Sequence, residues 1–338
     1  MEQIGKYIKM TPNKIADFLD EKVLGKVAPG YAISLIRDGQ TEQQCSGTMA
    51  ENLSTEISPH SVYDLASISK LYTSALLLKA VENGQLGLND QVGKYLPNFA
   101  KSKLTIKDLM THHVDFGFGM GEQRAKADNG QVFKENLLAI IPPTEPLNGV
   151  NYHNLGYIYL GFILEQIFHQ TLSTQLRCFL DEEGLTETYT GDALPVVVNT
   201  VPTEKTAEGD LHNLTNDESA RLLGGQAGNA GIFASTGDLA QFACKWLNTT
   251  MFSHDTIRQV FTEYDGTGEK SQGLCWWGRI YGQKQLQPGV YCHPGYTGSI
   301  VFVRPEKRNV CVFQCNRTYY GRDNDKHHDI FRFLSEII

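Results

Sequence analysis

Residues 64–84, DLASISKLYTSALLLKAVENG, place two serines and a lysine immediately ahead of an apolar run. Leu71, Ala75, Leu78 and Val81 recur at three- and four-residue spacing, and Leu76 and Leu77 widen that face. A buried helix is therefore predicted over 68–82. Asn83-Gly84 supplies its stop. At 100° per residue, Ser67 and Lys70 share a face one turn apart, whereas Ser69 is rotated away from Ser67. The polar trio thus sits at the N-terminal end of a core helix, where backbone N–H groups and the positive dipole end are free. Alone, Ser-x-x-Lys also describes an N-cap serine beside a solvated lysine. Partners elsewhere in the chain must decide.

Outward from this helix, the two ends of the chain mirror each other. Thr11-Pro12 opens an amphipathic helix over 12–25, with Ile15, Phe18, Leu19 and Val23 on one side. GYAISLIRDGQTEQQCSG (30–47) reads as a hairpin turning at Asp38-Gly39-Gln40. SIVFVRPEKRNVCVFQCN (299–316) gives two strands around Pro305–Arg308, and DIFRFLSEII (329–338) closes as a helix. Between them, helices are predicted over 105–111, 132–141, 154–169, 215–223, 237–248 and 255–263. The expected fold is α+β: an antiparallel sheet flanked by N- and C-terminal helices, with a mostly helical lobe inserted. The sheet lobe would be discontinuous, 1–64 and 271–338, the helical lobe 65–270, and the active site would lie in the cleft between them.

Composition narrows the function classes. With 338 residues, 41% hydrophobic and 20% charged, the chain is long enough for two lobes of a globular protein. A net charge of −8 without any lysine/arginine block argues against nucleic acid and anionic membranes as partners. The apolar stretch YIYLGFILEQIF (157–168) carries Glu165 and is too short to span a bilayer. Seven scattered cysteines without a Cys-x-x-Cys pair fit a reducing compartment. The opening residues lack the apolar core of a secretory signal. Cytoplasmic residence is the expectation, and oligomeric state stays open.

Two further clusters could partner Ser67 and Lys70. In NYHNLGYIYLGFILEQIF (151–168), Tyr152 and Asn154 stand at a helix entrance, where Asn154 could equally be an N-cap and Tyr152 a packing aromatic. In YCHPGYTGSIVFV (291–303), His293 precedes a Pro-Gly pair, and its plain reading is a surface histidine in a turn. DKHHD (325–329) lacks companion ligands at zinc spacing and reads as a solvated helix start.

Taken together, Ser-x-x-Lys, Tyr-x-Asn and His-x-Gly in this order resemble the serine β-lactamase/penicillin-binding-protein-like superfamily, specifically its class C β-lactamase-related branch of esterases, D-aminopeptidases and DD-peptidases. LTIKDLMTHH (104–113), AGNAGIFASTGDLAQF (227–242) and Asn316-Arg317 carry the same likeness, which runs from about residue 12 to the C-terminus. The resemblance implies that Ser67 attacks, that Lys70 and Tyr152 share proton transfer, and that a covalent acyl-enzyme forms. It implies an oxyanion hole from the backbone N–H groups of Ser67 and Tyr296, and substrate contacts from Asn154, His293 and Gly295. No metal or cofactor is implied. Two departures stand out: His113-Val114-Asp115-Phe116 replaces the family's Thr-Ser-Gly-Leu-like turn, and Pro294 stands where threonine is common.

A serine hydroxyl needs a base, and a lysine serves only when burial or nearby positive charge makes it neutral. The residues alone leave Lys70 and Tyr152 open as that base. The expected activity is a serine hydrolase acting on small carboxylic esters or amides. The alternatives are a D-amino-acid peptidase or DD-carboxypeptidase, a weak β-lactamase, and a catalytically silent binding protein of the same fold. A small-molecule ester, amide or peptide would be the partner.

Overall fold

The alternating stretch 30–47 folds as the predicted hairpin, with Asp38 and Gly39 both at positive φ (51° and 76°), the turn whose twist suits paired strands. The structure, a computed structural model, describes residues 11–262, 272–278 and 286–338. In chain order its elements begin with α1 (Pro12–Val23), β1 (Gly30–Arg37), β2 (Gln40–Gly47) and β3 (Val62–Asp64). A 3₁₀ turn, Ala66–Ile68, leads into α2 (Ser69–Glu82). Then come α3 (Ile106–Met110), α4 (Met120–Arg124), α5 (Gly130–Ala139), α6 (Asn154–Phe168) and α7 (Leu172–Glu182). Short strands β4 (Thr188–Thr190), β5 (Glu204–Thr206) and β6 (Gly209–Leu211) precede α8 (Glu218–Leu222), β7 (Ile232–Ser235), α9 (Thr236–Lys245) and α10 (His254–Val260). The last elements are β8 (Tyr291–Pro294), β9 (Ile300–Arg304), β10 (Asn309–Cys315) and α11 (His328–Ile337).

Both ends of the chain meet in one antiparallel sheet of order β2-β1-β10-β9-β8. Side chains alternate across it, so one sheet serves two cores. Ile300, Phe302, Cys311 and Phe313 pack with Ile15, Leu19, Val23, Ile330 and Phe331 of the terminal helices. Val301, Val303, Val310 and Val312 face the other way, into the core built by α2, α6 and α9. The α+β class and the sheet flanked by terminal helices are as expected.

α4, the β5-β6 pair and two larger features were not anticipated. The stretch 172–182 forms α7, capped by Thr171 accepting the Thr174 N–H and burying Leu172, Leu176, Phe179 and Leu180. A small sheet, β3-β7-β4, lies among the helices and fixes the approach to α2. The expected lobe boundary at 270/271, residue 263 of the helix expected over 255–263, and residues 1–10 lie outside the described residues.

Candidate active site

Ser67 lies in the 3₁₀ turn that feeds α2, and the residue before it, Ala66, is held at φ +46°, a left-handed conformation rare for alanine. The bland readings of this segment fail. The N-cap position of α2 is Ile68, with no side-chain cap, and Lys70 is not solvated but 0% exposed. Ser69, off the Ser67–Lys70 line, accepts the Ile232 N–H (3.0 Å) and ties α2 to β7.

Three segments converge on Lys70. Its Nζ lies 3.0 Å from Ser67 Oγ and 2.7 Å from Tyr152 Oη, and those two oxygens are 2.7 Å apart. The same nitrogen donates to Asn154 Oδ1 (2.9 Å) and to the Asn229 carbonyl (3.3 Å). Burial pulls the Lys70 pKa down to about 7, with Asp217 opposing the shift. A neutral amine has two N–H donors and one lone pair. With Asn154 and Asn229 taking the donors, the lone pair is left for a hydroxyl proton. Burial pushes Tyr152 the other way, well above its usual value, with the Ser67 hydrogen bond opposing. Near neutral pH the site therefore holds a phenol and a largely titratable lysine, which separates the two base candidates that the sequence left open.

His153, not Asn154, caps α6, its Nδ1 accepting the Leu155 N–H (3.0 Å). That frees the Asn154 amide for Lys70. Tyr152 is wedged between Trp277, edge-on at 5.4 Å, and the His112 ring at 4.7 Å. His112 is buried at φ +58°, and its carbonyl accepts the Asn151 N–H (2.9 Å). Trp277 carried no sequence signal for this position, and His112 and Asn229 lie in stretches that carry the family likeness but were given no part in the site, because each arrives from a different part of the fold.

On β8, His293 is 1% exposed rather than a surface residue. Its Nδ1 donates to the Pro294 carbonyl (3.0 Å), which fixes the tautomer and leaves Nε2 as an acceptor. Burial, then Lys70, lowers its pKa to about 3, so the imidazole is neutral at physiological pH. Gly295 is needed for close approach: a Cβ there would sit 2.6 Å from the Leu65 carbonyl oxygen. Its own N–H and carbonyl are engaged by Ser299 (2.7 Å) and Gly298 (3.1 Å), so the part it plays here is steric. This approach brings the Tyr296 segment to the Ser67 turn. Among the described residues, neither the Ser67 nor the Tyr296 backbone N–H has an intramolecular acceptor.

Ser67, Tyr152, Asn154, His293, Gly295 and Tyr296 all line one cavity of about 790 Å³, with Lys70 directly behind it. The wall continues through Trp277 to a charged rim that includes Arg124, Asp217, Arg322 and Asp323. His327 and His328 also line it, and His327 packs against Phe331 at 4.8 Å, so DKHHD is part of the cavity wall rather than only a solvated helix start. Among the described residues, no group of three His, Cys, Asp or Glu side chains could hold a metal ion.

The family model described as Beta-lactamase matches residues 15–333. A protein of Escherichia coli (strain K12) described as "Putative D-alanyl-D-alanine carboxypeptidase" is 26% identical over 348 residues, covering 86% of this chain and 79% of its own. One of the same description from Salmonella enteritidis PT4 is 29% identical over 316 residues, covering 79% and 72%. A solved class C β-lactamase superposes with a TM-score of 0.76 at 18% identity, covering 97% of each chain. The D-alanine carboxypeptidase AmpC from Burkholderia cenocepacia gives 0.74 at 19%, covering 97% and 99%. These likenesses show the fold.

Proposed function

Because the chain belongs to the β-lactamase family and is a serine hydrolase by that membership, we propose that it works through an acyl-enzyme on Ser67, with neutral Lys70 as the base. The observation that carries this reading is the Ser67–Lys70–Tyr152 triangle around a buried lysine whose pKa is about 7. Ser67 Oγ attacks the acyl carbon while its proton passes to the Lys70 lone pair. The oxyanion is taken by the Ser67 and Tyr296 N–H groups. Tyr152 Oη, still a phenol, donates its proton to the leaving group and is resupplied from Lys70 Nζ. Water then releases the acyl group by the same path in reverse. Asn154 and His293, both lining the cavity, meet the substrate.

The preferred substrates are peptides ending in D-alanyl-D-alanine, a reading supported by the names of the relatives. Small neutral esters are the second reading. One observation favours it: His293 offers no positive charge, and Pro294 no hydroxyl, to a substrate carboxylate. The silent-binder alternative fits poorly with an intact triangle. Division into a sheet lobe (1–64 with 271–338) and a helical lobe (65–270) belongs to the same proposal. So does cytoplasmic residence, supported by seven free cysteines. Among the described residues, no helix is long and apolar enough to cross a membrane.

The test is intact-protein mass spectrometry after a fluorophosphonate or penicillin probe, followed by a panel of D-alanyl-D-alanine peptides and p-nitrophenyl esters. One covalent adduct, lost in Ser67→Ala, is expected. No adduct would overturn the acyl-enzyme reading, and the panel ranks peptide against ester.

A further inference from the structure

Asp64, three residues ahead of Ser67, is an acid buried to 2% exposure that the proposed reaction does not use. Its carboxylate accepts two backbone N–H groups, from Ala66 through Oδ1 (2.7 Å) and from Asn216 through Oδ2 (2.6 Å). Its own carbonyl accepts the Thr297 hydroxyl (2.8 Å), 233 positions away in the chain. Ala66 adjoins Ser67 and Thr297 adjoins Tyr296, the two residues whose backbone N–H groups are unpaired among the described residues. One residue thus joins both halves of the oxyanion pocket. Through Asn216 it also holds the loop that brings Asp217 to the cavity wall.

The turn needs such a brace. Ala66 at φ +46° would relax toward an ordinary conformation unless its N–H were held, and relaxation would swing the Ser67 N–H that follows it. Preorganised donors act only if they do not reorient during reaction. Resting on the acyl-enzyme reading, we propose that Asp64 is a positioning residue: its ionised carboxylate and its carbonyl together fix the Ser67 and Tyr296 N–H groups toward one point.

The groups around Asp64 set its acid sensitivity. Burial raises its pKa to about 6 against the two N–H bonds, with Asp217 raising it further and Arg221 of α8 lowering it. Phe233 and Ile232 of β7 and the Thr297 turn add no charge. A protonated Asp64 would put an O–H where an N–H already points, and the brace would loosen.

The experiment measures the rate of Ser67 labelling by a fluorophosphonate from pH 4.5 to 9 in wild type, Asp64→Asn and Thr297→Val, with thermal melts alongside. Lys70 protonation gives the wild type a limb of unit slope below about pH 7, which should steepen toward two below about pH 6. Asp64→Asn should label roughly 10²-fold more slowly, the scale of a lost oxyanion donor, and its acid limb should return to unit slope. Thr297→Val, which removes one hydroxyl, should label about tenfold more slowly and keep the wild-type pH profile. A folded Asp64→Asn with wild-type rate and profile would overturn the brace. If Asp64→Asn does not fold, wild-type labelling by Thr297→Val overturns it instead. Failure of the wild type to take label at Ser67 would overturn the acyl-enzyme reading itself.

Discussion

Lys70 Nζ and Tyr152 Oη lie 2.7 Å apart, and burial moves their proton affinities in opposite directions, the ammonium down to about 7 and the phenol up. A pair so arranged keeps the proton on the phenol and opens the lysine lone pair near neutrality. The relationship is chemical as well as steric, since each group sets what the other can do.

Hydrolysis should therefore rise as pH passes about 7, following the neutral fraction of Lys70. A pH profile of kcat/KM checks this, and Lys70→Arg should be inactive throughout, because a guanidinium does not deprotonate. Stability carries the matching sign. The unfolded chain binds more protons than the folded one between about pH 7 and the ordinary lysine value of 10.5, so stability climbs with pH over that window. Lys70→Met should stabilise the protein by up to about 5 kcal/mol at pH 6, at about 1.4 kcal/mol for each of the pH units between 10.5 and about 7. The gain should shrink toward pH 10. Melts of both proteins at several pH values would show it.

Ser67→Ala should abolish acylation and lower hydrolysis at least roughly 10³-fold. Ser69→Ala should keep probe labelling, yet lose about 1–3 kcal/mol of stability by leaving the buried Ile232 N–H unpaired. Labelling and denaturation of the two variants separate the serines. Label retained in Ser67→Ala and lost in Ser69→Ala would reverse the assignment.

Gly295→Ala introduces a Cβ 2.6 Å from the Leu65 carbonyl oxygen, a backbone contact that cannot swing aside. β8 must then back away from the Ser67 turn, carrying the Tyr296 N–H with it. The expected loss in kcat is roughly 10²-fold with the fold retained, comparable to losing one oxyanion donor. Steady-state kinetics with a circular dichroism control would measure it, and wild-type kcat would show that the contact is not needed.

Changing His293 to lysine together with Pro294 to threonine restores a cation and a hydroxyl. A charge-assisted hydrogen bond contributes about 1.5–3 kcal/mol, so a chromogenic cephalosporin should gain roughly 10- to 150-fold over p-nitrophenyl acetate in kcat/KM. On the neutral-ester reading, the wild type, with a neutral imidazole, should turn the cephalosporin over poorly. Efficient cephalosporin hydrolysis by the wild type at pH 7.5 would contradict this account of carboxylate recognition.

Much of the fold was legible in local pattern. Hydrophobic pattern marked α2, α6, both terminal helices and the two hairpins: α1 and α11 bury one face at helical spacing, whereas α2, α6 and the central strands are buried nearly all round and show as apolar runs. The order of Ser67–Lys70, Tyr152–Asn154 and His293–Gly295 along the chain pointed to one chemistry before any of them touched. α7 was missed although Leu172, Leu176, Phe179 and Leu180 recur at helical spacing, since nothing local says which amphipathic stretch will find a core.

What only the tertiary structure decided is protonation and company. That Lys70 is buried and titrates near 7, that His293 is interior and neutral, and that the His153 ring which caps α6 is held by the Phe118 carbonyl all depend on groups distant in sequence. Asp64 shows the limit most plainly: in DLASISK it is one more acid before a helix, and only Ala66, Asn216 and Thr297 arriving together make it a brace. Periodicity is a local property and records which face leaves water. Desolvation and hydrogen-bond partnership are sums over neighbours, and the neighbours here come from across the chain.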